Sequence, residues 1–320
     1  MKHILVTGAS GFLGRNLIGR LLADGHAVAG SIRRPSSLLP STVRTHVVDV
    51  ENPQDSWAQA LASVDTVVHC AARVHVMSDK STDPLAAFRQ ANVEATLRLA
   101  RESAAAGVRR FIFISSIKVN GEKTLPGAPY TADDIPQPTD PYGISKMEAE
   151  AGLLALAETV DMDVVIIRPV LVYGPGVKAN FLSLMKWLAK GVPLPLGAIH
   201  NRRSLVALDN LCDLISTCVD HCAASNQVFL VSDGDDLSST ELLRRMAQAL
   251  NARARLLPIP TWVLKSGAIL IGKPELSQRL CGSLQVDITK TRTLLGWTPP
   301  VSVNAALAAT AKDYLNQSKL

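Results

Sequence analysis

Absences narrow this chain first. The most apolar late stretch, residues 261–271, carries Lys265 and is far shorter than the ~20 residues a membrane helix needs. It reads as a buried or amphipathic helix, and no stable membrane insertion is expected. Cysteine is scarce and odd in number: five residues, at 70, 212, 218, 222 and 281, with no CxxC pair. That argues against a disulfide scaffold and for reduced thiols in a cytoplasmic protein. Cys218 and Cys222 flank His221, but three residues packed that closely make a poor metal site, so no metal is expected. Aromatic residues are only 4% of the chain, and no basic stripe is interleaved with them. The net charge of +5 is scattered apart from short pairs such as Arg33-Arg34 and Arg202-Arg203. Anionic small molecules, rather than nucleic acid, fit that distribution.

What is present is a large core and an alternating pattern. Hydrophobic residues are 47% of 320, enough for more than one lobe. Strand-type runs fall at 3–7, 27–32, 44–48, 66–69, 110–114, 163–167 and 227–231. Helical spacing falls at 12–24, 54–62, 84–106 and 141–159. The alternation predicts an α/β fold, a parallel sheet with helices on both faces. Pro and Gly concentrate at 121–141 and 172–197, loops expected at the carboxyl edge of that sheet.

Two local patterns carry chemistry. Ile4-Leu5-Val6 leads into Thr7-Gly8-Ala9-Ser10-Gly11-Phe12-Leu13-Gly14, and apolar residues then recur at 13, 17, 18, 21 and 22. Strand, glycine turn, helix is the setting in which backbone amides at a helix start cradle a pyrophosphate, although the spacing is GxxGxxG rather than GxGxxG. The second pattern is Asp140-Pro141-Tyr142-Gly143-Ile144-Ser145-Lys146. Asp140 is a good helix N-cap and Pro141 a good first helical residue. Tyr142 and Lys146 then share a helix face. The ammonium is expected to lower the phenol pKa, giving an acid/base for a sugar or alcohol oxygen.

Together with Asp49-Val50, HCAA (69–72), Asn92-Val93, SSIKVNG (115–121), RPVLVYGPG (168–176) and LGW (295–297), these patterns resemble the extended short-chain dehydrogenase/reductase family. The resemblance spans nearly the whole chain. It implies a Rossmann-type doubly wound parallel sheet with a smaller, interwoven C-terminal substrate lobe. The dinucleotide-binding part would be 1–172, with 204–232 adding late sheet elements. The substrate lobe would be 173–203 and 233–320. A homodimer through a four-helix bundle, built from the helices near 84–106 and 141–159, is also implied.

The resemblance assigns roles. Ser116 would hydrogen-bond the reacting sugar oxygen, Tyr142 would be the acid/base, and Lys146 would hold the nicotinamide ribose. Gly8, Gly11, Phe12, Leu13, Gly14, Asp49, Val50, Ala71, Ala72, Asn92 and Pro169 would surround the cofactor, Asp49 near its adenine. Lys118, Asn120, Asn180, Arg203 and Arg279 fall on the substrate side, with Asn180 and Arg203 at the diphosphate. Strand two ends on Ile32 where an NAD enzyme usually carries an acid, and Arg33 follows. Arg33 suits a 2′-phosphate, which favours NADP(H) over the possible NAD(H).

Ile117 and Lys118 occupy the positions where nucleotide-sugar dehydratases carry an Asp-Glu pair, which excludes dehydration. Epimerases usually have a tyrosine where this chain has Asn120. The expected activity is oxidoreduction at C4 of a UDP-linked sugar. First comes 4-ketoreduction of a UDP-4-keto-6-deoxy-N-acetylhexosamine for surface polysaccharide, a reading the ARVHVM stretch (72–77) shares. UDP-hexose 4-epimerisation is the alternative. A non-catalytic NADP-sensing regulator is a remote third, because such proteins lose the tyrosine and lysine that this chain keeps.

Overall fold

The computed structural model describes residues 1–35, 38–74, 83–270, 272, 278 and 280–317. Seven strands form one sheet: β1 (His3–Thr7), β2 (Ala27–Ile32), β3 (Arg44–Val47), β4 (Thr66–His69), β5 (Arg110–Ile114), β6 (Asp163–Pro169) and β9 (Gln227–Val231). Their order is β3-β2-β1-β4-β5-β6-β9, and every neighbouring pair is parallel. Both faces are covered, so central strands read as continuous apolar runs such as Val164-Val165-Ile166-Ile167. Alternate residues enter different cores. Ile4, Val6, Val165 and Ile167 pack with Leu17 of α1 (Phe12–Ala23) and Leu211 and Ile215 of α7 (Leu208–Asp220). Leu5, Val164 and Ile166 pack with Leu99 of α4 (Ala95–Ala105) and Leu153 of α5 (Pro141–Ala157). The strand order reverses direction between β1 and β4, and a crevice at that switch point is where such sheets bind ligands.

A second sheet pairs β7 (Leu171–Tyr173) with β8 (Leu205–Ala207). A third core gathers Tyr173, Phe181, Leu205, Leu243 and Leu307. Its helices include α6 (Ala179–Ala189), α8 (Ser239–Ala249) and α11 (Val303–Gln317).

Most expected elements lie within a residue or two of the observed ones, and three differ for physical reasons. The helix expected over 54–62 shrinks to α2 (Ala58–Leu61). Upstream, the Asn52 amide donates to Asp55 at 2.6 Å, Gln54 N donates to Asn52 Oδ1 at 3.1 Å and Ala58 N to Ser56 Oγ at 3.3 Å. These local bonds favour turns over helix. The helix expected over 84–106 becomes α3 (Pro84–Arg89), a π-turn (Gln90–Glu94) and α4. The late apolar stretch forms α9 (Thr261–Leu270), and of the buried and amphipathic alternatives the buried one fails: Leu264 packs on the third core, but Trp262 is 71% exposed and Leu270 87%.

Candidate active site

The glycine loop is a cradle with no room for side chains. Gly8 has φ +64°, and a Cβ there would sit 2.9 Å from the Ala71 nitrogen. A Cβ on Gly14 would lie 2.3 Å from the Gly8 carbonyl oxygen. The turn is therefore packed against the end of β4, with Gly11 exposed at its crest and the first turn of α1 beginning at Phe12 and Leu13. That leaves helix-start amides open to an anion. Beneath it, buried His69 bonds Thr7 Oγ1 at 2.7 Å and Thr96 Oγ1 at 3.0 Å, and the Ala71 amide donates to Thr7 Oγ1 at 3.3 Å. Burial first, then the nearby Lys146 charge, holds His69 down at about 3. It is a neutral strut joining β1, β4 and α4.

Asn92 in the π-turn is 1% exposed and clamps the strand-four loop. It accepts from Arg73 N at 2.8 Å and donates to Arg73 O at 3.0 Å and to Ser145 Oγ at 3.0 Å. Ala72 is thereby held next to α5, the helix of Tyr142 and Lys146. Such π-turns recur at functional sites.

α5 starts as its sequence dictates. Asp140 Oδ1 accepts from Gly143 N at 2.6 Å, and Pro141 opens the helix. Lys146 is 1% exposed, donates to Ile114 O at 2.8 Å and lies 4.2 Å from the Phe113 ring centroid. Burial depresses it to about 7, with the Glu150 charge pulling the other way. The Tyr142 ring meets Phe88 edge-on at 6.0 Å between centroids, and Ser116 is the polar neighbour of its hydroxyl. Here the sequence expectation is corrected. Burial raises the phenol to about 12, beyond what the neighbouring Ser116 hydroxyl offsets, and Asp140 adds to the rise. The ammonium does not lower it, because Lys146 is turned to the Ile114 carbonyl and the Phe113 ring and is itself half-discharged near neutrality.

Ser116 caps the short 3-10 turn Ile117–Val119, accepting from Lys118 N at 3.2 Å. Ser115 faces the opposite way, donating to Glu150. Glu150 is also gripped by Arg168, at 2.6 Å, and Arg168 Nη1 donates to Asn120 Oδ1 at 3.0 Å. Asn120 Nδ2 donates on to Thr131 O at 2.9 Å. Asn120, read as a substrate contact, is 1% exposed and committed to this network. Lys118, also read as a substrate contact, bridges Asp140 and Glu122, the latter at 2.9 Å. Burial works against its charge, but the two carboxylates outweigh it and raise its pKa.

The remaining residues spread outward. Pro169 ends β6 beside Val231. Asp49 Oδ1 accepts from Glu51 N at 3.0 Å, and buried Val50 offers its carbonyl to Arg98 at 2.8 Å. Arg33 is 71% exposed, with Glu51 3.9 Å away. Asn180 is exposed at the start of α6. Arg203 is mostly buried between Leu237 and Leu284, donates to Gly282 O at 3.0 Å, and is lowered in pKa by that burial. Arg279 and residues 75–77 of the ARVHVM stretch lie outside the described residues.

Residues 4–232 match the family described as NAD dependent epimerase/dehydratase. The chain belongs to that family. It is an enzyme of the NAD(P)-dependent epimerase/reductase type, with the Rossmann-like sheet of its relatives. It is 48% identical over 315 residues to a UDP-glucose 4-epimerase of Vibrio cholerae, covering 98% of this chain and 96% of that one. A GDP-6-deoxy-D-mannose reductase of Pseudomonas aeruginosa is 25% identical over 322 residues, covering 98% and 97%. Among solved structures, MoeE5 in complex with UDP-glucuronic acid and NAD superposes with a TM-score of 0.77 at 25% identity, over 99% of both chains. A UDP-glucose 4-epimerase from Thermotoga maritima with UDP-glucose has a TM-score of 0.78 at 21% identity, over 99% and 100%, and shares the fold.

Proposed function

We propose that this enzyme performs redox chemistry at C4 of a UDP-linked sugar, and that 4-epimerisation of a UDP-hexose is its best-supported form. The observation that carries the chemistry is the grouping of Ser116, Tyr142 and buried Lys146 at the carboxyl end of β5. The direct support for C4 inversion is the near-full-length match to a UDP-glucose 4-epimerase. The cradle fits a dinucleotide: Gly8, Gly11 and Gly14 leave the backbone open to a pyrophosphate, and Asn92 fixes the loop that would lie beside it. When bound, a nicotinamide supplies a site that takes up and returns a hydride. The chain's own part is proton handling. Ser116 orients the sugar oxygen, and Tyr142, protonated across the physiological range, gives or takes a proton at that oxygen. Lys146, held by the Ile114 carbonyl, is proposed to donate to a ribose hydroxyl. Asn180 and Arg203 are proposed for the substrate diphosphate.

The second reading is 4-ketoreduction with NADPH. It is favoured by Arg33, which stands exposed after β2 where an acid would repel a 2′-phosphate. One assay separates the two. UDP-galactose or UDP-glucose is offered without added reductant, and a UDP-4-keto-6-deoxy-N-acetylhexosamine is offered with NADPH. C4 inversion with no change in nicotinamide absorbance is the expected result. Stoichiometric NADPH loss on the keto sugar alone puts the reductase first, and silence in both arms defeats the C4 reading. Arg33→Ala reports on the cofactor separately. If Arg33 binds a 2′-phosphate, NADPH affinity falls by roughly 1.5–3 kcal/mol while NADH affinity holds. Equal titrations against both mark a solvated arginine.

A homodimer through α4 and α5 belongs to the same proposal. Leu97, Leu154 and Leu156 on those helices are only partly covered. Light scattering at micromolar concentration should give twice the chain mass, and a monomer mass ends that part of the reading.

A further inference from the structure

α9 is apolar on both of its faces. Leu264 turns inward onto the third core, with Thr261 and Gly267 half-buried beside it. The opposite face carries Trp262, Ser266 and Ile269 at helical spacing, flanked by Val263 and Leu270 on one side and Lys265 on the other. Trp262, Ile269 and Leu270 are 71%, 65% and 87% exposed. A helix apolar all round belongs in a buried setting, yet this one rests on the surface with its outer face uncovered.

The apolar surface continues beyond the helix. Leu194 N donates to Arg255 O at 2.9 Å, Leu257 N to Leu194 O at 2.8 Å and Gly197 N to Leu257 O at 2.9 Å. These bonds set the chain after α6 against the chain before α9. Val192, whose amide donates to Trp187 O at 3.0 Å, brings the end of α6 to the same region. Trp187, Val192 and Leu257 are exposed there, at 47%, 38% and 48%. Two of the four tryptophans of the chain thus stand on this one lobe in the open.

Charge selects the occupant. Residues 178–208 and 251–270 contain no Asp or Glu. Lys186, Lys190, Arg253, Arg255 and Lys265 are exposed around the apolar residues. Exposed tryptophan and aliphatic side chains rimmed by cations match the boundary of an anionic bilayer, where indole rings settle among headgroups and lysine and arginine meet lipid phosphate. We propose that the outer face of α9, with the adjoining end of α6, docks the enzyme reversibly on an anionic phospholipid membrane. No described helix is long and apolar enough to cross a membrane; this docking is peripheral.

The test uses the whole chain and sedimented vesicles of phosphatidylcholine with and without phosphatidylglycerol, the anionic lipid that supplies the electrostatic attraction. Expected are binding to the anionic vesicles, reversal by high salt and a blue shift of tryptophan emission. Trp262→Ala with Ile269→Ala should abolish the binding. Arg253→Ala with Arg255→Ala should weaken it about 25-fold, about fivefold for each cation. All these side chains are exposed, so unchanged turnover of a soluble substrate reports an intact fold. The proposal fails if anionic vesicles do not retain the protein or if both vesicle types retain it equally. It fails equally if the Trp262→Ala, Ile269→Ala variant binds like wild type, or if that variant dissociates an oligomer of a protein that ignores vesicles, which would assign the face to a second copy.

Discussion

Tyr142→Phe is expected to lower turnover by roughly 10²–10⁴-fold, the contribution of a positioned acid/base, with the fold and cofactor affinity nearly unchanged. The substitution removes one oxygen, so little packing is lost; the ring keeps its edge-on contact with Phe88. What disappears is the hydroxyl neighbouring Ser116, the group proposed to exchange a proton with the sugar C4 oxygen. Its pKa near 12 means that the phenol rests protonated in the free enzyme, so it is ready to give a proton and must be helped to accept one. Lys146, depressed to about 7, is the nearby group whose charge varies around neutrality. A rate that changes between pH 6 and 8 in wild type and has no such step in Lys146→Met would place that titration in the reaction. Turnover of Tyr142→Phe within a few-fold of wild type, with the cofactor bound, removes Tyr142 from the acid/base role.

The legibility of this site in the sequence follows the range of the interactions that build it. The glycine turn and the Asp140-capped helix were readable because each is fixed by residues close in sequence. The parallel sheet covered on both faces was also implied, since strands alternating with helices have few ways to connect. What escaped was long-range. Nothing adjacent to Asn120 or Lys118 announces that Arg168 and Asp140 will claim them, so both read as substrate contacts. The depressed phenol pKa failed for the same reason: the carbonyl and ring that hold Lys146 come from β5, 32 residues earlier for the carbonyl. Two further local signals stand in the sequence. Ser238 and Glu241 have the spacing of a helix start, and Ser238 Oγ does accept from Glu241 N at 3.0 Å to open α8. Glu150 lies one turn beyond Lys146 on the face that already held Tyr142, yet only the partners from β5 and β6 give it a purpose.

That purpose supports the second large effect. Arg168→Met should destabilise the protein by about 3–5 kcal/mol, read as a lower midpoint in urea, because it leaves the Glu150 carboxylate buried without its counter-charge. Arg168 and Glu150 each have a side chain only 5% exposed, and the pair ties β6 to α5, with Ser115 donating to the same carboxylate. Losing the arginine also frees Asn120 Oδ1, so the turn that carries Ser116 loses one of its anchors. The activity of folded Arg168→Met should therefore fall through misplacement of Ser116 and α5, although Arg168 touches no reacting atom. The double variant Arg168→Met, Glu150→Leu decides between charge and packing. If the cost is an unpaired buried charge, removing the second partner should recover most of the lost stability. Activity should stay low, because Ser115 and Asn120 remain without their partners. A double variant no more stable than the single one would show that the guanidinium matters by its shape and hydrogen bonds, rather than by balancing Glu150.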